Sequence, residues 1–483
     1  MLQPIEYFKK VSAIPHGSGN EKAIADYIEE IAKKNGLFCI RDAFNNVFVR
    51  RKASVGYGDA PSVLFAAHTD MVCEKTPAST HDFLTDPLDI REKDGFIYAE
   101  GTTLGADDGA GVATMLSLMT DTDLAAPETE YLFTSSEETG MDGAFGFDYS
   151  VIRSEKVINL DNGAECSACT GSASGQRFEV KIPLDRTRKS GKAVKVTVSG
   201  LAGGHSGNEI GSGRQSAVKL LSALLCQMYE EYPFNLVSII GGGKYNVIPT
   251  EASATVVFCG TDEEKTAKAT AAAFEGAARL SLCDADKKRF KVSFSRLKEA
   301  ENVKLTDMLT LKSTSTVLTA LELAPQGVLK YFPNSHSVLS SVNLGILLTE
   351  AEHISVHFLA RSAYAHEARI TAEVINRLAH AVNGKNELLS EYPCWEYRKT
   401  SPLQDEYAKA CESVFGRTPT FGAVHAGLEC GIFFNGIKAN GRSPDIISIG
   451  PNLYDIHSPK ERMEIASLDR LYTLLKTMLG SAK

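Results

Sequence analysis

Several histidine and acidic residues directly follow short apolar segments of the chain. His68 and Asp70 stand two residues apart at the end of the segment SVLFAAHTDMV. In a strand these two positions share one side, so the Asp70 carboxylate can orient the His68 imidazole as a metal ligand. A buried structural histidine is the alternative explanation for such a pair taken alone. The pair therefore indicates a metal site only in combination with further ligands.

A second acidic pair, Asp107 and Asp108, lies in the glycine-rich segment GTTLGADDGAGVATML. The glycines permit a tight loop, and a helix is predicted to begin near Gly109. Asp is a preferred residue at the helix N-cap, so each aspartate alone has a structural explanation. We interpret Asp107 as a carboxylate that can bridge two metal ions and Asp108 as the residue that caps or stabilises the helix.

Glu137 and Glu138 are adjacent residues that follow the predicted strand in TEYLFTSSEETG. In extended backbone neighbouring side chains point to opposite sides, so one carboxylate could bind a metal while the other stays available. A hydrolase needs this division, because the available carboxylate can take a proton from the attacking water and return it to the leaving amine. A solvated acidic loop is the alternative.

Two more residues complete a set of candidate ligands. Asp161 follows the apolar segment KVINL, and His457 lies in the polar loop IGPNLYDIHSPKE. Imidazole and carboxylate ligands without cysteine suit zinc, and they also suit cobalt or manganese. Two ions can share one bridging carboxylate while each ion is also bound by a histidine and a carboxylate of its own. This arrangement needs only five residues.

The elements that must position these residues follow an α/β pattern. Up to about residue 185, helices alternate with short apolar strands, which predicts a helix-flanked, mostly parallel sheet. Such a sheet binds ligands at the carboxyl ends of its strands, where the candidate residues fall. Residues 186–392 instead have an α+β pattern that suggests doubled βαββ-type units. We predict one domain formed by residues 1–185 and 393–483, interrupted by an inserted domain of residues 186–392.

Composition excludes several classes of function. The chain has 483 residues, 43% of them hydrophobic, and contains no apolar run long enough to cross a bilayer. Its N-terminus lacks the features of a secretory signal, so we expect a cytoplasmic protein. A formal net charge of -9 with dispersed basic residues argues against a nucleic-acid partner and favours small substrates.

The order of the motifs HTD, GADDG, SSEETG, NLD and a late loop histidine resembles the co-catalytic zinc peptidase family that includes aminoacylase, carnosinase and bacterial aminoacyl-histidine dipeptidase. The opening segment IPHGSGNEKAIADYI is also similar to that family. The segments GTTLGADDGAG, SSEETGMDGA and HAGLECG resemble most its aminoacyl-histidine dipeptidase branch. The resemblance spans the whole chain and implies a zinc-peptidase catalytic domain.

The resemblance implies two zinc ions per chain, with Glu137 as the general base. It assigns the metal ligands as Asp107 bridging both ions, His68 and Asp161 completing one site, and Glu138 and His457 completing the other. An aspartate at position 161, where carboxypeptidase-like and deacylase relatives tend to have Glu, resembles the aminopeptidase and dipeptidase members. This identity favours a substrate with a free amino terminus.

The inserted domain resembles the lid of this family, which closes over the substrate and often mediates dimerisation, so a homodimer is implied. His205 in GLAGGHSGNEIG is similar to a histidine that stabilises the oxyanion, in its own or a partner's active site. Asn246 and Arg361 resemble residues that contact the substrate, with Arg361 gripping its carboxylate. Gly427 and Glu429 are placed in the pocket, although HAGLECG departs from the GGTDA-like sequence of other branches. A turn histidine, a capped turn or a surface ion pair are the structural alternatives.

These observations together predict metal-dependent hydrolysis of short peptides with a free N-terminus, chiefly dipeptides and including Xaa-His, by water activated between two zinc ions. A tripeptide aminopeptidase would require a third residue, and an N-acyl amino acid deacylase would require a blocked amine. The alternative of another class is an inactive scaffold that binds peptide or metal.

Overall fold

The computed structural model describes residues 2–189, 191–258, 261–296 and 308–482. The predicted inserted domain thus includes residues 190, 259–260 and 297–307, which lie outside the described residues. The chain divides into two compact units, here called unit 1 (Met1–Ser172, Trp395–Ala423 and Leu428–Lys483) and unit 2 (Ala173–Cys394 and Val424–Gly427). The sequence-based boundaries at 185 and 392 stay a prediction.

The helices of the described residues number thirteen, with one additional short 3-10 helix at Tyr149–Val151. They are α1 (Pro4–Ser12), α2 (Lys22–Lys34), α3 (Ala106–Thr120), α4 (Asp142–Gly146), α5 (Ser206–Glu209), α6 (Ala217–Glu231), α7 (Thr261–Ser281), α8 (Asp284–Lys287), α9 (Leu311–Leu323), α10 (Ala365–Ala381), α11 (Pro402–Phe415), α12 (Glu429–Ala439) and α13 (Ile465–Gly480).

The strands of the described residues are β1 (Phe38–Arg41), β2 (Val47–Arg51), β3 (Val63–His68), β4 (Ile90–Lys93), β5 (Phe96–Ala99), β6 (Thr129–Thr134), β7 (Lys156–Asn159), β8 (Ser167–Ser172), β9 (Ser174–Pro183), β10 (Arg186–Thr187), β11 (Lys192–Ser199), β12 (Asn235–Gly242), β13 (Ala252–Phe258), β14 (Lys291–Arg296), β15 (Met308–Leu309), β16 (Gly327–Tyr331), β17 (Val338–Thr349), β18 (His353–Ser362), β19 (Lys385–Tyr392), β20 (Thr420–Val424), β21 (Asp445–Ser448), β22 (Leu453–Tyr454) and β23 (Arg462–Glu464).

Unit 1 is built on a mixed sheet with the strand order β1-β2-β6-β3-β7-β21-β8-β20. The four central strands, β6, β3, β7 and β21, are parallel to one another. β2 joins β6, and β8 joins β21, in antiparallel pairs. The predicted α/β fold is confirmed, with a parallel centre and antiparallel strands towards the edges.

The core of unit 1 explains why its central strands are almost entirely apolar. Every residue of β3 and β6 is buried, as expected for strands covered on both faces. α3 packs on β3 and is buried over most of its length, so it carries apolar residues on nearly all sides. Phe65 stacks on Tyr131 at a ring separation of 5.7 Å. Because Phe65 is fully buried, we expect Phe65→Ala to cost about 3–5 kcal/mol.

Unit 2 contains an antiparallel sheet with the order β14-β11-β13-β12-β17-β18-β9-β19, and β16 pairs with β17 outside this path. Buried apolar residues of α6, α9 and α10 belong to the same core as the sheet. β14 is the strand next to β11 at the edge of this sheet, although the two are far apart in sequence. The doubling of βαββ units therefore stays a prediction.

The parallel strands of unit 1 bring several candidate residues to one edge of the sheet. β3 ends at His68, which is the register partner of Thr134 at the end of β6. β7 is also parallel to β3 and ends at Asn159, two residues before Asp161. The loops that carry Glu137, Glu138 and Asp161 consequently start from the same edge as His68. Among the described residues, none of the helices is both long and apolar enough to cross a membrane.

Candidate metal centre

Asp107 lies between two imidazoles and presents a different oxygen to each. Its Oδ1 is 3.1 Å from Nε2 of His68, and its Oδ2 is 3.2 Å from Nε2 of His457. The same His457 nitrogen lies 2.8 Å from Oε1 of Glu138. Unit 1 therefore brings together four of the five predicted ligands, and the side chain of each one contacts that of at least one other.

Asp161, the fifth predicted ligand, lies beside the same carboxylates. Burial raises its pKa well above the ordinary range, and the negative charges of Asp107 and Glu138 raise it further. Neighbouring acidic groups that are both buried favour sharing a proton or a cation over carrying uncompensated charges.

The carboxylates of the cluster favour positive charge on both imidazoles. Burial opposes protonation of His68, but contacts with Asp107 and Asp70 raise its pKa well above the ordinary value. Contacts with Asp107 and then Glu138 raise the pKa of His457 to about 11. The carboxylates would thus also favour a metal ion bound among them.

The donor set fits a metal of the zinc type. Ligand atoms of His68, Asp107 and Glu138 all lie within 4.8 Å of one another. Imidazole nitrogen and carboxylate oxygen are ligands of zinc, cobalt and manganese. The chain therefore contains a candidate metal site at the edge of the unit 1 sheet.

The orientation of His68 depends on the main chain of Asp70 as well as on its side chain. Nδ1 of His68 lies 3.0 Å from the Asp70 carbonyl oxygen and 3.5 Å from its Oδ1. The imidazole is 1% exposed, so the ring is held on all sides. Its Nε2 is thereby directed to Asp107, as expected of a ligand whose second nitrogen is fixed.

The Asp70 carboxylate organises the loop after β6. It accepts hydrogen bonds from the N–H of Glu137 at 2.9 Å, the N–H of Glu138 at 3.2 Å and the hydroxyl of Ser18 at 2.7 Å. Glu137 and Glu138 therefore occupy a turn, and our premise that they lie in extended backbone is wrong. Two successive N–H groups converge on one carboxylate only if the chain turns, and Ser136 makes this possible with φ 58°.

Glu137 differs from Glu138 in its environment. Burial raises the pKa of Glu137 well above its ordinary value, and the charges of Asp161 and Glu138 raise it further. Glu138 instead contacts His457 directly. A carboxylate with a raised pKa next to a ligand cluster is suited to accept and return a proton.

Asp108 makes the hydrogen bond of a helix-capping residue. Its Oδ1 accepts the N–H of Gly111 at 3.1 Å. A Cβ at position 111 would lie 2.3 Å from this oxygen, so the close approach requires glycine. The regular part of α3 begins after Asp108, because Asp107 and Asp108 have non-helical φ and ψ angles.

Two buried glutamates that sequence reasoning did not select support the loops of the site. Glu21 accepts hydrogen bonds from the N–H and hydroxyl of Ser136 and from the N–H of Gly19. Glu461 accepts N–H groups from the loop that leads to Asp107. Both lie in segments that already drew attention in the sequence, IPHGSGNE and HSPKE. Their role could not be predicted, because it depends on contacts with residues far away in the chain.

In unit 2, the loops of His205 and Asn246 are joined by main-chain hydrogen bonds. The N–H of Ser206 donates to the Asn246 carbonyl at 2.8 Å, and His205 forms a bridge with Val247. The side chain of Asn343 donates to the carbonyl of Val247 at 2.9 Å. Burial and the nearby charge of Arg361 lower the pKa of His205, which is therefore a neutral imidazole near pH 7.

Arg361 is a buried cation with an arrangement suited to bind an anion. It is 4% exposed, and its Nη1 donates to the Tyr392 hydroxyl at 2.7 Å, while its Nε has no hydrogen-bond partner among the described residues. Burial and the charge of Arg361 lower the pKa of His425 to about 4. Nε2 of His425 lies 2.7 Å from the hydroxyl of Ser341. Sequence reasoning did not select His425 or Tyr392.

Gly427 and Glu429, which the sequence placed in one pocket, have separate surroundings. A Cβ at Gly427 would lie 2.5 Å from the Tyr392 ring, so glycine permits this packing in unit 2. In unit 1, Oε2 of Glu429 accepts the Thr134 hydroxyl at 2.7 Å, and its buried Oε1 has no partner among the described residues. Burial raises the pKa of Glu429 to about 7.

Known proteins resemble this chain in sequence and in fold. Residues 64–481 match the model of peptidase family M20/M25/M40. The cytosol non-specific dipeptidase of Escherichia coli (strain K12) is 32% identical over 481 residues, covering 99% of this chain and 97% of the relative. The aminoacylhistidine dipeptidase of Vibrio alginolyticus has a similar structure, with a TM-score of 0.88, 28% identity and coverage of 99% and 96%. An aminopeptidase PepT structure from Bacillus cereus shares the fold with a TM-score of 0.56 at 13% identity, covering 99% and 98%. The family resemblance of the sequence is confirmed: the chain belongs to peptidase family M20/M25/M40.

Proposed function

We propose that this protein is a metal-dependent dipeptidase that hydrolyses short peptides with a free N-terminus, Xaa-His among them. The observation that carries the proposal is the Asp107 carboxylate facing both His68 and His457 beside Glu137, whose pKa is raised. The names of the relatives from E. coli and V. alginolyticus support a dipeptide substrate.

Two metal ions would be held by residues of unit 1. Asp107 would contact both ions, His68 and Asp161 would complete one site, and Glu138 and His457 the other. When bound, the ions polarise the substrate carbonyl and lower the pKa of water. Zinc fits the nitrogen and oxygen donors best, and cobalt or manganese could replace it.

Glu137 would move the proton during hydrolysis. Its carboxylate takes a proton from the attacking water, and the carboxylic acid then protonates the departing amine. A low pKa would leave the carboxylate too weakly basic for the first transfer. Burial and the neighbouring acids raise that pKa, while Glu138 stays engaged with His457.

Unit 2 would recognise the C-terminal carboxylate and the reacting carbonyl of the peptide. Arg361 would bind the C-terminal carboxylate, because a buried guanidinium with an unpartnered Nε is compensated by an anion. Asn246 would contact the peptide, and neutral His205 would donate an N–H to the developing oxyanion. His205 could serve its own site or that of a partner subunit in a homodimer formed through the inserted domain. Gly427 and Glu429 belong to this proposal as residues lining the substrate region.

The test is metal analysis of the purified protein followed by assays with and without a chelator. Ala-His, carnosine, Ala-Ala-Ala and N-acetyl-alanine are the substrates. Chelator-sensitive cleavage of the dipeptides with about two metals per chain is expected. Cleavage of only the tripeptide would indicate a tripeptide aminopeptidase, and cleavage of only the acetylated compound a deacylase. Absence of metal and of cleavage would favour an inactive scaffold.

Light scattering of the same sample tests the homodimer, and cell fractionation tests the proposed cytoplasmic location.

A further inference from the structure

One buried carboxylate outside the proposed ligand set binds the whole loop that leads to Asp107. Glu461 is 2% exposed. Its carboxylate accepts four successive main-chain N–H groups, with Oε2 bound to Leu104 at 2.9 Å and Gly105 at 3.2 Å, and Oε1 bound to Ala106 at 2.8 Å and Asp107 at 3.4 Å.

Such an arrangement fixes a loop more strongly than a single hydrogen bond. Successive N–H groups that converge form a concave site for an anion, and hydrogen bonds to a charged acceptor are stronger than neutral ones. The loop also bends at Gly105, whose φ is 66°. A Cβ at that position would lie 2.8 Å from the sulfur of Met71. The path of the chain into Asp107 thus depends on the hydrogen bonds to Glu461 and on the close approach of Gly105 to Met71.

Glu461 also belongs to the loop of the second imidazole. It stands four residues after His457, and its own N–H donates to the Ser458 carbonyl at 3.0 Å. The His457 side chain is 47% exposed, so packing contributes little to its position. Glu461 therefore connects the segment carrying His457 to the segment carrying Asp107, and these two side chains meet at 3.2 Å.

We propose that Glu461 is a positioning residue of the metal centre. It holds the Asp107 loop and the His457 loop in register, so that both carboxylate oxygens of Asp107 are directed to their imidazoles before a metal binds. The inference rests on the proposed metal function. Residues that orient ligands in this way typically change metal affinity about 10- to 100-fold when substituted.

A purely structural role as an anchor for the start of α3 is the alternative, and the chain offers a matched control for it. Glu130 is also fully buried and also accepts main-chain N–H groups, those of Arg153 and Ser154. It differs in that, among the described residues, none of its hydrogen-bond partners is a proposed ligand. Glu130→Gln should lower stability without changing metal affinity.

The experiment measures zinc affinity of the full-length metal-free protein by competition with a chelating dye, together with its Tm. Glu461→Gln keeps the size of the side chain but places an NH2 group against main-chain N–H groups. We expect its zinc affinity to fall about 10-fold or more at one or both sites. Glu461→Asp keeps the negative charge but has a shorter side chain. Its zinc affinity should therefore lie between those of the wild type and Glu461→Gln. If Glu461→Gln does not fold, the zinc affinity of Glu461→Asp tests the positioning role instead.

The outcomes separate the inference from the function on which it rests. Unchanged zinc affinity in both Glu461 variants, with zinc bound by the wild type, overturns the positioning role alone. An equal loss of affinity in Glu130→Gln at a similar fall in Tm also overturns it, because general destabilisation would then explain the effect. A wild-type protein that binds no zinc overturns the proposed function and the inference together.

Discussion

Nε2 of His457 lies 3.2 Å from Oδ2 of Asp107, on the carboxylate oxygen opposite the one that His68 contacts. A carboxylate that divides its oxygens between two imidazoles is placed to serve two metal ions at once. The loss of its charge should therefore affect both ions, whereas the loss of either imidazole should affect one.

Asp107→Asn is expected to abolish binding of both metals and to reduce dipeptidase activity by more than about 100-fold, since even residues that only orient ligands change metal affinity by about 10- to 100-fold. Plasma emission spectrometry after gel filtration measures the metal content, and hydrolysis of Ala-His measures the activity. The exposed Asp123→Asn is a control that should keep both. Retention of two metals by Asp107→Asn would exclude a bridging role.

Glu137→Gln and Glu138→Gln should have different consequences although the residues are adjacent. Glu137→Gln should retain its metals and lose roughly 100-fold or more in kcat, because the amide cannot accept the proton from water. Glu138→Gln should lose metal, since Glu138 contacts His457. Metal content and kcat are measured on the same preparations. Near-normal turnover in Glu137→Gln would remove it as the general base.

One property of the site could be predicted from the sequence: its residues follow buried parallel strands. His68 and Asp161 were placed at one edge by the rule that ligands bind beyond the carboxyl ends of such strands, and β3 and β7 are parallel neighbours. The α/β fold followed from the same alternation of helices and apolar strands. The turn at Glu137 was missed, because it is set by a carboxylate 67 residues earlier in the chain.

The contacts of unit 2 could not be predicted because they depend on register between distant strands. Arg361 of β18 is the register partner of Ser341 of β17, whose hydroxyl contacts His425. No local sequence pattern indicates that β17 and β18 pair in this register or that His425 contacts Ser341. Glu461 is a similar case, since its four N–H donors lie more than 350 residues away.

Arg361→Ala should raise KM for Ala-His by roughly 10- to 100-fold, the range expected from losing charged hydrogen bonds to a carboxylate. The readout specific to this role is the ratio of kcat/KM for Ala-His to that for Ala-His amide. The wild type should prefer the free acid, and the variant should lose this preference. Arg377→Ala, on an exposed part of α10, should keep it. An unchanged ratio in Arg361→Ala would exclude recognition of the C-terminal carboxylate.

His425 should make the folded protein less stable as pH falls. Burial and the charge of Arg361 lower its pKa from 6.5 to about 4, so the unfolded chain binds a proton below pH 6.5 that the folded chain does not. Its contribution to stability is complete above pH 6.5 and is lost as pH falls towards 4, in total on the order of 3 kcal/mol.

His425→Gln cannot bind this proton, while its amide can still reach the Ser341 hydroxyl. The fall in Tm between about pH 7.5 and about pH 5 should therefore be smaller in the variant than in the wild type. Differential scanning fluorimetry of the metal-free proteins measures it. His366→Gln, at an exposed position of α10, should behave like the wild type. If His425→Gln and the wild type show the same fall in Tm, the folded protein does not keep His425 neutral, and the positive charge of Arg361 is compensated by other groups.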